Sequence, residues 1–563
     1  MLRVFTMRFA YSVEPWKYEL LLCPDNLEGR EVSTAWEPYR DNWVGAFMKT
    51  TEGSYASIWS NTAALPEFPS LEANERADVC VIGAGIAGLT TAYLLTRAGK
   101  SVIVLEAGSI LSGETQRTTA HLVTALDDRY FELERLHGEQ GAKLAAESHA
   151  AAIDNIERIV REERIDCDFE RVDGFLFAAP DTPPAMLDRE LAAAHRAGLR
   201  ETKIVDRAPL ASFDTGRALL FPEQAQFHPL KYLTAVAAAF VRDGGRIFAH
   251  SHATKISGGT SAHVETQEGF QVSCEAIVVA TNTPVNDRLV IHTKQAAYQT
   301  YVIGVAVPAG TVPRALYWDG GDPFHYVRVQ PSSPGNAGPA HDILIVGGED
   351  HKSGQADDAK VRYAKLESWT RQRFPMATEI LFQWSGQVMV SVDRLAFIGR
   401  NPLDHDNVYV ATGDSGTGLT HGTIAGMLIT DLIMGRENPW TNLYSPSRVS
   451  IGAAENYARE SVNMVAQFAD WLTAGDVEKD ELVPPGTGAI VRHGLAKVAV
   501  YREADGTFHE CLAVCPHLGG IVSWNHAEKT WDCPAHGSRF DRLGKVLHGP
   551  ANHDLCPVEV PVH

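Results

Sequence analysis

Asp78-Val79-Cys80-Val81-Ile82-Gly83-Ala84-Gly85-Ile86-Ala87-Gly88 decides the fold of most of the chain. Residues 79–82 are a short, unbroken apolar run, as a parallel strand buried on both faces requires. A helical stretch through Leu89, Tyr93 and Leu94 follows the glycines and stops at Gly99. A second apolar strand, Val102-Ile103-Val104-Leu105, is closed by Glu106 and completes a βαβ unit. In that setting Gly83 permits the tight turn, Gly85 lets the backbone approach a pyrophosphate, and Gly88 lets the helix press on the strand. The free N–H groups and positive dipole end of the helix then face phosphates. Glu106 lies 23 positions after Gly83, where a carboxylate accepts a hydrogen bond from a ribose 2′-OH and repels a 2′-phosphate. The unit predicts a dinucleotide site. No second Gly-x-Gly-x-x-Gly follows another strand, so one nucleotide is expected.

Outward from this unit, 563 residues suffice for three or four domains of about 150 residues each. With 45% apolar and 21% charged residues the composition is that of an ordinary globular protein. Fifty Lys and Arg against 70 Asp and Glu leave a net charge of −20, which argues against a nucleic-acid partner and against docking on anionic lipid. No apolar run reaches the roughly eighteen residues of a membrane span. Arg3, Arg8, Glu14, Lys17 and Glu19 interrupt any signal-peptide core, so a cytoplasmic location is expected. Residues 1–60 show no clear period and read as an extension, although they hold Trp16, Trp36, Trp43 and Trp59. Helices are expected over 141–164, 183–198, from Pro229 through Val241, over 423–434 and over 452–472. Strands are expected at 276–281 and 408–411. An acidic stretch ending in Pro-Pro-Gly, 478–488, reads as a linker to a small β domain.

Cysteine is unevenly placed. Cys511, Cys515, Cys533 and Cys556, half of the eight, lie in the tail with eight of the 22 histidines, counted from His493. Thiol and imidazole crowded together signal a metal site rather than a secretory disulfide framework. Cys515-Pro516-His517 and Cys533-Pro534-Ala535-His536 are separated by fifteen residues. Each pair brings one thiolate and one imidazole, which suits a two-iron cluster with Cys515 and Cys533 on one iron and His517 and His536 on the other. Tetrahedral zinc on two thiolates and two imidazoles is the alternative. Cys511 and Cys556 read as packed thiols. Elsewhere, Gly413-Asp414-Ser415-Gly416-Thr417-Gly418 opens a helix whose N-terminus suits developing negative charge, or simply caps a core helix. His325-Tyr326-Val327-Arg328 alternates as a strand does; Arg328 is either a bidentate carboxylate clamp or a structural ion pair. His121 is either a cofactor linkage or base, or a hydrogen-bonded wall. Trp384 either walls the same site or packs in the core.

Residues 76–435 resemble the D-amino-acid-oxidase family of FAD-dependent amine and amino-acid oxidoreductases, on Asp78 to Gly85, Leu105-Glu106-Ala107, Ala280-Thr281 and Tyr409 to Gly413. The resemblance implies FAD held by Gly83, Ala84, Gly85, Gly88 and Glu106, by Arg117 and Thr118 in the loop that passes the flavin, and by Gly413, Asp414, Gly416 and Gly418. Gln116-Arg117-Thr118-Thr119-Ala120-His121 departs from the small-residue and Arg-Asn pattern usual in that loop. Residues 483–563 closely resemble the Rieske [2Fe–2S] family, on Cys515 to Gly520 and Cys533 to Ser538. Gly520 and Ala535 stand where respiratory members carry a loop-to-loop disulfide, and Phe540 where a tyrosine is frequent. That places the cluster in the lower part of the range of about −150 to +300 mV for histidine-ligated clusters.

The expected architecture is an α/β, Rossmann-like FAD-binding domain (61–165, 221–290 and 386–440) with an inserted α+β substrate domain (166–220 and 291–385). A helical linker (441–483) and a C-terminal all-β Rieske domain (484–563) follow. The expected activity is oxidation of a C–N bond in a small amine or amino acid by hydride transfer to the flavin, with Tyr326, Arg328 and His121 as candidate catalytic residues. Electrons would leave singly through the cluster to a one-electron acceptor protein. An oxidase with a structural or regulatory Rieske domain, and a non-catalytic redox carrier or sensor, are the other readings.

Overall fold

The computed structural model describes residues 56–183, 185–286, 290–331 and 341–558. The extension expected over 1–60 lies outside them up to residue 55. From there on it is not an extension: the short helix Ile58–Thr62 puts Trp59 in the core, with Nε1 donating to the Thr118 carbonyl at 2.6 Å. An indole with its N–H satisfied is a large gain to bury.

A six-stranded sheet carries the βαβ unit, in the order Phe397–Arg400, Val408–Thr412, Ala276–Val279, Val79–Ile82, Val102–Leu105, Arg246–Phe248. All neighbours are parallel except the antiparallel edge strand Phe397–Arg400. Every residue of Val79–Ile82, Val102–Leu105 and Ala276–Val279 is buried, which is why these strands read as unbroken apolar runs. The helix Ile86–Arg97 packs on this sheet and against Gly418–Ile433. That second helix starts at Gly418 rather than at 423, because the glycine loop itself supplies its first turn.

A nine-stranded mixed sheet forms the second layer, running Ile380–Ser391, Gln295–Pro308, His341–Lys352, His325–Pro331, Leu316–Asp319, Glu170–Phe177, Ala218–Gln226, His121–Leu122, with Lys203–Val205 beside Ala218–Gln226. The strands Ala218–Gln226 and Ile380–Ser391 run across the divisions expected at 220/221 and 385/386. The long helix Tyr130–Glu163 begins well before 141 and bends at Gly138. Its first turn is capped from elsewhere: the buried Glu190 carboxylate, on the helix Met186–Arg196, accepts the N–H of Tyr130 at 3.0 Å and of Phe131 at 3.4 Å. An acid at a helix N-terminus satisfies donors that the helix leaves free.

The amphipathic helix Ala454–Gln467 and a 3-10 turn, Phe468–Leu472, lead into the C-terminal domain. That domain is all β, with a three-stranded sheet (Thr487–His493, Ala496–Arg502, Phe508–Leu512) and a four-stranded one (Ser523–Asn525, Thr530–Asp532, Arg539–Asp541, Val546–His548). Trp524, Trp531 and Phe540 fill its core. Cys511 is a buried free thiol, whereas Cys556 is disulfide-bonded rather than the packed thiol expected.

Candidate functional site

A cavity of about 1140 Å³ opens at the C-terminal ends of the parallel strands. Its floor is the glycine turn. A Cβ at Gly88 would stand 1.8 Å from the Gly83 carbonyl oxygen, and one at Gly83, whose φ is +101°, 2.5 Å from the Ala280 oxygen. Only bare backbone lets turn, helix and third strand meet this closely. Glu106 ends the second strand, where its carboxylate accepts the Ala84 N–H at 2.7 Å and the Gly108 N–H at 3.2 Å. Burial pushes the Glu106 carboxyl up, against the downward pull of those N–H groups.

Gly83, Gly85, Glu106, Arg117, Thr118, His121, Tyr326, Gly413, Asp414, Gly416 and Gly418 all line this one cavity. Ala84 and Gly88 stand behind the lining and shape it. Arg328 is not part of it. Its guanidinium is 1% exposed and donates to the Ala120, Phe227 and Thr119 carbonyls and to Gln330 Oε1 at 2.6–3.4 Å. It also lies over the Trp59 ring. The candidate clamp is therefore a structural tie between the loop at 119–120, Phe227 just past the strand Ala218–Gln226, and the N-terminal helix. Strand alternation puts Tyr326 and Arg328 on the same face, but further along that face the sheet is covered by backbone carbonyls. Replacing Arg328 by methionine leaves those acceptors buried and unmatched, a cost of about 3 kcal/mol. A urea melt of the variant should show that loss, with substrate half-saturation unchanged. Trp384 likewise serves the core, with Nε1 donating to the Arg117 carbonyl at 2.8 Å.

His121 and Tyr326 do meet, ring edge to face at 5.7 Å. His121 Nδ1 pairs with Thr119 Oγ1 at 3.0 Å while its buried Nε2 has no hydrogen-bond partner. Burial, and then the charge of Arg328, hold the imidazole pKa down at about 3, so it is neutral. Tyr326 Oη is 2.8 Å from Thr300 Oγ1.

In the C-terminal domain two loops fold alike. The Cys515 N–H donates to the Gly520 carbonyl and the Gly519 N–H to the Cys515 carbonyl; the Cys533 N–H donates to Ser538 and the Gly537 N–H to Cys533, all at 2.8–2.9 Å. The matched turns bring the Cys515 and Cys533 thiols into hydrogen-bond contact. The N–H groups of His517 and Leu518 and the Ser538 hydroxyl are directed at the Cys515 sulfur, and those of Ala535 and His536 at the Cys533 sulfur. Such donors stabilise thiolates rather than thiols. The His517 and His536 rings lie 5.0 Å apart. Two soft anionic and two neutral nitrogen donors on facing loops fit the unequal irons of a histidine-ligated [2Fe–2S] cluster. A Cβ on Gly520 would lie 3.3 Å from that of Ala535, so these two positions face each other without a disulfide.

The loops are docked on the mixed sheet. The Gln387 amide, itself lining the cavity, donates to the Gly537 carbonyl at 2.9 Å; Gln355 donates to the Pro534 carbonyl at 3.2 Å, and Ser523 to the Gly354 carbonyl at 2.8 Å. Glu528 joins Arg117 at 2.9 Å and the Ser385 hydroxyl at 2.5 Å. Burial raises the Glu528 pKa, but Arg117 and Arg539 outweigh it and hold the carboxylate ionised. His536 Nε2 lies 2.9 Å from Met464 Sδ, and His292 packs against both His517 and His536 at 4.7 and 5.8 Å between rings. His292, Met464, Gln387 and Asp350 belong to no motif and could not be found from sequence spacing.

The model of the FAD dependent oxidoreductase family matches residues 78–432, and that of the Rieske [2Fe-2S] domain matches residues 473–560. The chain belongs to the FAD-dependent oxidoreductase family. It adds a C-terminal Rieske domain, and the two together imply FAD and a [2Fe–2S] cluster as its cofactors. A Bacillus subtilis (strain 168) protein, YhfW, described as a Rieske 2Fe-2S iron-sulfur protein, is 32% identical over 91% of this chain and 99% of its own length. Gamma-glutamylputrescine oxidoreductase of Escherichia coli (strain K12) is 28% identical over 69% of this chain and 90% of its own. Glycine oxidase from Geobacillus kaustophilus shares the fold of this oxidoreductase over 67% of the chain and all of its own, with a TM-score of 0.56 at 19% identity. Among the described residues no helix is long and apolar enough to cross a membrane.

Proposed function

We propose that this FAD-dependent oxidoreductase oxidises a C–N bond of a small amine or amino acid and passes the electrons singly to its own Rieske cluster. The observation that carries this reading is the shared wall: Gln387 lines the large cavity and hydrogen-bonds the carbonyl next to His536. Bound FAD supplies the acceptor for a hydride from the carbon beside nitrogen, and the bound cluster supplies a one-electron acceptor. Gly83, Ala84, Gly85, Gly88 and Glu106 hold the nucleotide end, with Arg117, Thr118, Gly413, Asp414, Gly416 and Gly418 around the flavin. Cys515 and Cys533 hold one iron, His517 and His536 the other. In this reading FAD binding lies in 61–165, 221–290 and 386–440, substrate binding in 166–220 and 291–385 and electron exit in 484–563, with the strands Ala218–Gln226 and Ile380–Ser391 shared between the first two. Tyr326 and the neutral His121 orient substrate at the cavity wall. A one-electron acceptor protein receives what the cluster collects.

An anaerobic titration of the holoenzyme with amines and amino acids tests this, reading flavin absorbance and the reduced-cluster EPR signal together. The expected result is flavin bleaching with a cluster signal and little peroxide in air. Stoichiometric peroxide without cluster reduction would instead mark an oxidase with a structural Rieske domain.

A further inference from the structure

The end of the cavity around Tyr326 is acidic and aromatic, and its composition bears on which substrates it takes. Asp127, Asp128 and Asp350 line it together with Tyr298, Phe324 and Tyr326. The Thr300 hydroxyl, which meets Tyr326 Oη at 2.8 Å, lies beside the Asp350 carboxylate. One carboxylate oxygen of Asp350, Oδ1, is buried with no hydrogen-bond partner. The Phe324 and Tyr326 rings lie 5.6 Å apart and tilted.

A buried carboxylate oxygen with nothing to bond is costly unless a ligand supplies the missing donor. The cations that line the cavity do not supply it. Arg394 is paired with Asp128 at 3.3 Å, Arg117 with Glu528 at 2.9 Å, and Lys545 is exposed on the C-terminal domain. Arg328 is tied into the core behind the wall. Among the described residues, then, the Tyr326 end presents no unpaired arginine or lysine to bind a substrate carboxylate. It presents an unmatched carboxylate oxygen beside two ring faces, an arrangement that attracts an ammonium group by charge, hydrogen bonding and cation–π contact.

We propose that the site selects a cationic amine with no carboxylate on the reacting carbon, its ammonium donating to Asp350 Oδ1 and its carbon chain lying on Phe324 and Tyr326. This rests on the reading of the cavity as the substrate site and narrows "amine or amino acid" to the first. Burial raises the Asp350 pKa to about 6, and a bound cation would draw it back down.

The test is calorimetric binding to the oxidised holoenzyme, which needs no turnover, with n-butylamine and benzylamine against glycine, L-alanine and L-proline, in the parent and in Asp350→Asn. The amide keeps the size of the side chain and an oxygen for Thr300 but loses the charge. The amines are expected to bind at least about tenfold more tightly than the amino acids, and the substitution to weaken amine binding by about tenfold or more. FAD content and the cluster EPR spectrum, which report folding of both domains, should not change. Amino acids binding as well as amines, or amine affinity untouched by Asp350→Asn, would overturn the inference. If an amino acid both binds and drives cluster reduction, the electron-transfer reading stands and this one fails. If amines bind through Asp350 but never bleach the flavin, the selectivity stands and the proposed reaction fails.

Discussion

Cys533→Ser is expected to yield a protein that keeps its flavin and has no cluster: no acid-labile sulfide, no reduced-cluster EPR signal, and FAD content equal to the parent. Cys533 is buried, and its sulfur sits among the N–H groups of Ala535 and His536 and against the Cys515 thiol. A serine hydroxyl fits the space but is a hard, weakly acidic donor that does not replace a thiolate on iron. The contacts that dock the domain, from Glu528 to Arg117 and from Gln387 to Gly537, are untouched by the change. Reducing equivalents should therefore stop at the flavin, and peroxide formation in air should rise. Cys511→Ser is the matched control. That thiol is equally buried but lies 3.9 Å from the Ala499 carbonyl, away from both loops, so its variant should keep the full cluster signal. Sulfide and iron assays beside the flavin spectrum decide the result. Iron and sulfide retained in Cys533→Ser would remove Cys533 from the ligand set, and zinc in the parent would contradict the cluster itself.

Gly88→Val should produce the opposite phenotype, a cluster without flavin. The first carbon of any side chain here would stand 1.8 Å from the Gly83 carbonyl oxygen and 3.4 Å from Val81 Cγ1. The obstacle is backbone, which cannot rotate away as a side chain tip can. Helix Ile86–Arg97 must lift off the strand, its N-terminal N–H groups lose their aim, and the Gly83 turn opens. Overpacking of this kind costs on the order of 3 kcal/mol, and the dinucleotide site is lost with it. FAD per chain after gel filtration should fall below a tenth of the parent value, while the reduced-cluster EPR signal produced by dithionite persists. The pair of variants separates the two cofactors within one chain.

How much was legible in the sequence follows from how local each feature is. The residues 79–106 could be read because strand, turn, helix and strand are consecutive, and all three glycine requirements arise within six positions. The four cluster ligands were legible because each loop closes on itself, with its hydrogen bonds spanning four or five residues. Where partners come from afar, the sequence was silent or misleading. Arg328 lies in a strand whose alternation fits a clamp, but its acceptors belong to residues 119, 120 and 227. The start of the helix at Tyr130 depends on Glu190, sixty residues on. Trp59 looked like part of an irregular leader because the helix that buries it has only five residues. Asp350 is one acid among 70 Asp and Glu, and only the fold shows that it faces Tyr326 across Thr300.

The most direct measurement is a single anaerobic turnover of the holoenzyme with limiting amine, frozen at successive times and read by EPR, and repeated after tenfold dilution of the enzyme. Two redox stations docked through the Gln387 wall predict a cluster signal that grows as the fully reduced flavin gives up one of its two electrons, with a rate that dilution does not change. A cluster that stays oxidised while the flavin remains bleached, or a rate that falls in proportion to dilution, would contradict electron transfer within the chain.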